Sequence, residues 1–138
     1  QTTGSFDSYG LNYSKGSLKV AIASDSNAKG YDNKRFASTF SLDSLDIDVG
    51  VLYQTTKKLS TGISENGHVV SVKKNVFEKG SIYYQTSSSD IKLESGKQNS
   101  FGYTHKISKV SKVFVHASNL VSDTKNADYV SVGFEYKF

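Results

Sequence analysis

The last twelve residues, ADYVSVGFEYKF, limit the possible fold more than any other stretch of the chain. Val130, Val132, Phe134, Tyr136 and Phe138 take every second position, and between them stand Tyr129, Ser131, Gly133, Glu135 and Lys137. A period of two puts the two sets on opposite faces of one strand, one apolar and the other, tyrosine apart, small or polar. Twelve residues is about twice the usual globular strand and matches what a tilted strand needs to cross a bilayer. The segment ends on a bare aromatic ring. On a soluble sheet edge that would invite aggregation, whereas a membrane interface accommodates it. The stretch therefore reads as the closing strand of a bilayer-spanning sheet.

Composition agrees where it bears on this reading. The 138 residues allow one domain, residues 1–138. The chain contains no proline, which suits long unbroken ladders, and no cysteine, which excludes disulfides and thiolate metal sites. Only 36% of residues are hydrophobic while tyrosine and phenylalanine number 9 and 8. That is thin for a packed soluble core and fits a barrel that is apolar outside and wet inside. No apolar run approaches the ~18 residues of a membrane helix. No basic-then-apolar leader opens the sequence, so the expectation is a processed or partial chain. The net charge of +4 comes from scattered lysines, and nucleic acid is not expected as a partner.

Alternation recurs along the chain. It predicts strands over residues 4–14, 17–25, 35–42, 45–54, 68–77, 81–87, 100–107, 112–121 and 127–138. The fourth is the cleanest, with Leu45, Ile47, Val49, Val51 and Tyr53 on one face and Asp46, Asp48, Gly50 and Gln54 on the other. Leu52 is its exception. Lys74 interrupts the apolar face of the fifth, and Phe114 opposes Val113 and Val115 in the eighth, so the facing of both is open. The polar connections 25–34, 57–67, 88–99 and 122–126 read as long, and those between them as short. Outer-membrane barrels have that asymmetry, with short periplasmic turns and longer extracellular loops. The expected fold is thus all-β, an antiparallel transmembrane β-barrel with about nine strands in this chain, located in the bacterial outer membrane.

The closing segment FGYTHKISKVSKVFVHASNLVSDTKNADYVSVGFEYKF, read as three strands, resembles the C-terminal end of the Gram-negative general porins. The likeness rests on Gly102 to Lys106 (GYTHK), the Ser-Lys turn, and the final Tyr-Lys-Phe; YGLNYSKGSLKVAIAS also looks like a porin hairpin. The resemblance implies a homotrimer of sixteen-stranded barrels in lipid and lipopolysaccharide, passing small hydrophilic solutes, with this chain as the C-terminal half of the barrel. It also implies that the assembly machinery reads the end of the chain, here Phe134, Tyr136 and Phe138. No stretch carries the inward-folded acidic loop of that family, and Arg35 is the sole arginine. No constriction residue carries over.

The wet-face charges Lys19, Arg35, Asp46, Asp48, Lys106, Glu135 and Lys137 are the candidate pore lining. Fixed charges in a narrow aqueous lumen bias which ions enter; otherwise they hydrate the interior or pair across it. Four of the seven are cationic, so a weak anion preference is expected. Asp46 and Asp48 have the spacing to share a cation, but such pairs are mostly just hydrated. His68, His105 and His116 fall on three strands without convergence, so no metal, cofactor or catalytic group is expected. A barrel enzyme is the competing class, and the loops DSNAKGYDNK, KKLSTGISENG and SDTKNAD lack the histidine it would need. A third class is a small eight-stranded barrel acting as adhesin or anchor. Counting bears on it: nine strands with a descending last strand would put Gln1 on the extracellular side. Closed single-chain bacterial barrels have even counts.

Overall fold

The computed structural model describes residues 7–90 and 96–137. Nine strands follow one another: β1 (Asp7–Lys15), β2 (Leu18–Ala28), β3 (Tyr31–Leu42), β4 (Ile47–Lys58), β5 (Ser64–Val76), β6 (Gly80–Ser89), β7 (Gly96–Lys106), β8 (Ser111–Val121) and β9 (Asn126–Tyr136). Each is antiparallel to its neighbour, in one sheet ordered β1 to β9. The sheet is open. Among the described residues β1 pairs only with β2 and β9 only with β8, so the strands after β1 do not close as a barrel of eight.

The pairing register sorts every strand residue onto one of two faces, because partners across an antiparallel ladder point the same way. From Phe134 the apolar set runs through Val113, His105, Gly80 and Val76 at one end of the sheet. A second row of it runs through Val130, Ala117, Phe101, Tyr84, Val72, Val49 and Phe40 to Leu18. Tyr9, Leu11 and Tyr13 of β1 join it. This face resolves both open facings. Val113 and Val115 are on it, so Phe114 is on the polar face. Lys74 is on it as well, at its margin, with its ammonium group donating to the carbonyl of Leu45 at 2.9 Å. A long lysine at the margin of an apolar band can carry its charge to the rim.

Exposure is inverted relative to a water-soluble protein. Among the described residues no hydrophobic side chain is buried. On the inner strand β7, Phe101 of the apolar face is 54% exposed, while its neighbour Ser100 on the polar face is 4% exposed. Ser118, paired with Ser100, is also buried. Side chains crowd on the concave side of a curved sheet, so the polar face is concave and the apolar face is turned outward.

The outward face is zoned along the strands. Tyr9, Phe36, Tyr53, Tyr84 and Phe101 border the apolar band at one end, and Tyr13, Phe40, Tyr103, Phe134 and Tyr136 at the other. Tyrosine suits such borders because its ring is apolar and its hydroxyl is not. The hydroxyls of Tyr53 and Tyr84 donate to Asn66 at 3.1 Å and to Asn99 at 3.0 Å, at the polar edge of the band.

The connections differ from the sequence expectation. At one end they are residues 16–17, 43–46, 77–79 and 107–110, and at the other 29–30, 59–63 and 122–125, with the β6–β7 connection between Ser89 and Gly96. The contrast of short and long is slight. Residues 25–34 are mostly paired strand. A bulge around Asn27 (φ 55°), whose N–H donates to Asp32 at 2.8 Å, precedes a two-residue turn at Lys29 (φ 53°) and Gly30 (φ 85°). Positive φ at both central residues is the type I′ geometry that matches strand twist. The asymmetry is carried instead by strands that run past the apolar band, where outward positions such as Asp32, Lys34, Lys57, Asn66 and Lys97 are polar. Polar residues on both faces read as loop in the sequence although the ladder continues through them.

Candidate functional site

The polar face carries four cross-strand networks. On β1 to β4, Arg35 Nη1 lies 3.6 Å from Asp25, which also accepts from the Ser8 hydroxyl. Arg35 Nε donates to Gln54 at 3.2 Å, Gln54 Nε2 to Thr56 at 3.1 Å, and the Thr56 hydroxyl to Asn33 at 2.9 Å. On β3 to β5, Asp48 accepts from the Ser41 hydroxyl at 2.7 Å and lies 3.6 Å from the Lys73 ammonium. On β6 to β8, Tyr83 and His116 share a hydrogen bond across Gly102. On β8 and β9, Lys112 and Glu135 pair at 2.8 Å. Exposed pairs of this kind contribute only ~0–1 kcal/mol each to stability. Their larger effect is to fix the position of charge over the concave face.

The predicted lining residues divide as follows. Lys19, Arg35, Asp48, Lys106 and Glu135 are on the polar face. Lys137 lies just past β9, with its N–H on the Val110 carbonyl at 2.8 Å. Asp46 is not on that face. It follows a short 3-10 turn (Asp43–Leu45) with left-handed backbone (φ 54°) and sits in the connection before β4. Aspartate tolerates that conformation, so the alternation that seemed to begin at Leu45 starts only at Ile47. Asp46 and Asp48 do not share a strand face, and Asp48 has Lys73 as its partner. Phe134 and Tyr136 are on the outward face, opposite Val113 and Ser111. Phe138 lies outside the described residues.

The sequence reading missed Asp25, Lys58, Glu65, Lys73 and Lys112, all on the polar face. Lys58 and Glu65 fall in a stretch that reads as loop, and Asp25 at the junction of a predicted strand with one. Lys73 and Lys112 were recoverable, since the valine parity of Val70 and Val72, and of Val113 and Val115, already places them. Cations on or beside this face (Lys19, Arg35, Lys58, Lys73, Lys106, Lys112, Lys137) outnumber anions (Asp25, Asp48, Glu65, Glu135). His105 is on the outward face and His116 on the polar face. Among the described residues no group of three metal-ligating side chains comes together.

No family model matches the sequence, and no curated protein matches it. Among solved structures, the anion-selective porin from Comamonas acidovorans superposes with a TM-score of 0.74 at 18% identity. The fold is porin-like. The match covers 96% of this chain and 49% of the porin, so the chain spans about half the length of that relative. Among the described residues no helix is long and apolar enough to cross a membrane.

Proposed function

We propose that this chain forms part of the wall of an outer-membrane porin, a non-enzymatic channel for small hydrophilic solutes with a weak preference for anions. The observation that carries the reading is the inverted pair on β7, with Phe101 turned out and Ser100 crowded on the concave side. Such a sheet is stable only where its convex face meets hydrocarbon and its concave face meets water. The excess of cations on the concave face supports the anion preference. The name of the superposed porin agrees with it.

The finer reading is a general porin of Gram-negative type, a homotrimer of sixteen-stranded barrels in lipid and lipopolysaccharide. Two open edges support a larger barrel. In hydrocarbon each unpaired backbone group costs several kcal/mol, so β1 and β9 need partners. Strands beyond these nine would supply them, and the half coverage of the porin agrees. Phe134 and Tyr136, outward at the turn end of β9, would present the assembly signal together with Phe138. The test is electrical. The intact protein in a planar bilayer should open stepwise, ohmic pores; a protein that folds into the bilayer without conducting would favour the anchor reading instead.

A further inference from the structure

Around the turn joining β7 to β8 lies a groove of about 680 Å³ whose walls carry Lys79, Lys106, Lys109, Lys112 and Lys137 against one acid, Glu135. Lys112 and Glu135 are joined at 2.8 Å, which sets one charge of each sign against the other. Lys137 also acts on Glu135 through space, and Lys79, Lys106 and Lys109 form no ion pair among the described residues. The Debye length is about 10 Å at 0.1 M salt, so cations lining one groove of this size are only partly screened from a shared occupant.

The groove is also held in shape. Lys106 N–H donates to the Lys79 carbonyl at 2.8 Å and Lys137 N–H to the Val110 carbonyl at 2.8 Å. Ile107 and Ser108 N–H both donate to the Ser111 carbonyl, at 3.0 and 3.1 Å. These backbone donors are used, which leaves the ammonium groups for an occupant. Lys106, Lys112 and Glu135 lie in one row across β7, β8 and β9 on the polar face. Three of the charges that line the groove are therefore on the concave face.

We propose that this groove binds multivalent oxyanions of the linear-polyphosphate class at the turn-end mouth of the sheet, a setting that rests on the channel reading above. Lysine binds phosphate as a point charge without demanding one geometry. A multivalent chain can engage several ammonium groups at once where a single chloride engages one. A phospholipid headgroup offers the same phosphate chemistry, but it would reach the groove from the apolar side.

Calorimetric titration of tripolyphosphate into the intact protein, in neutral detergent, tests this. Saturable, salt-sensitive binding is expected, weakened at least about fivefold in Lys106→Gln/Lys109→Gln. Lys34→Gln, on the outward face of β3 at the other end of the sheet, should leave it unchanged. Absence of saturable binding, or equal affinity in the double variant, overturns the proposal. So does displacement of tripolyphosphate by phosphatidylglycerol added to the micelles, which would assign the groove to lipid. A protein that conducts ions but binds no tripolyphosphate loses this inference and keeps the channel; one that binds it without conducting does the reverse.

Discussion

Tyr83 on β6 reaches across Gly102 on β7 to share a hydrogen bond with Nδ1 of His116 on β8, the two rings 5.9 Å apart and nearly parallel at 23°. A Cβ at Gly102 would collide with the edge of the Tyr83 ring and its hydroxyl. The same device recurs at Phe114, whose ring covers Gly133 of β9. In both places a ring on the concave face fills the space that a missing side chain leaves on the next strand.

Gly102→Ala should therefore cost about 1–3 kcal/mol of stability, because the Tyr83 ring must leave its site or the strands must part. Gly67→Ala, where a Cβ would meet its neighbours no closer than 3.6 Å, should stay within ~0.5 kcal/mol. Denaturant unfolding of both variants in detergent makes the comparison. Equal losses would show that ring cover over Gly102 is unimportant.

Asp48 faces the concave side and is paired with Lys73, whereas Asp46 sits in a turn. Asp48→Asn should leave the Lys73 charge unopposed and move the reversal potential in a salt gradient toward anions. Asp46→Asn should move it less. The difference should shrink as salt rises, since both groups are partly exposed and screened. A strong cation preference in the unmodified protein would contradict the charge balance of the concave face.

Val51 and Leu52 are adjacent on β4, almost equally exposed at 37% and 38%, and on opposite faces. Exposure alone predicts the same tolerance to charge. The two-faced sheet predicts otherwise: Val51→Lys should lose about 2–4 kcal/mol of folding energy in lipid, the range for a lysine at mid-depth. Leu52→Lys should fold nearly as well as the parent. Refolding yields into liposomes across a urea series read the difference.

Much of this was legible in the sequence wherever the outward face is apolar. The alternation of β4 and β9 gave their facing directly, and the strand count of nine holds. Legibility failed above the apolar band, where Asp25, Asn33 and Lys34 are paired in a ladder although nothing in their composition marks a strand. Strand pairing there is carried by backbone hydrogen bonds and the type I′ turn, not by a hydrophobic face. It failed again at Asp46, where a period-two pattern continued by coincidence into a turn. The charge networks were beyond reach, because Arg35 with Asp25 and Lys112 with Glu135 depend on register between strands. A one-residue slip would separate them.

The central claim is that the apolar face meets lipid and the polar face meets water, and β4 tests it in one measurement. The chain has no cysteine, so single cysteines can be placed at Asp48, Leu52 and Gln54 on one face and at Val49, Val51 and Tyr53 on the other. A small charged maleimide applied to the protein in native membranes should label the first three and spare the second three. Labelling that is uniform along β4, or that favours Val49, Val51 and Tyr53, would contradict the account.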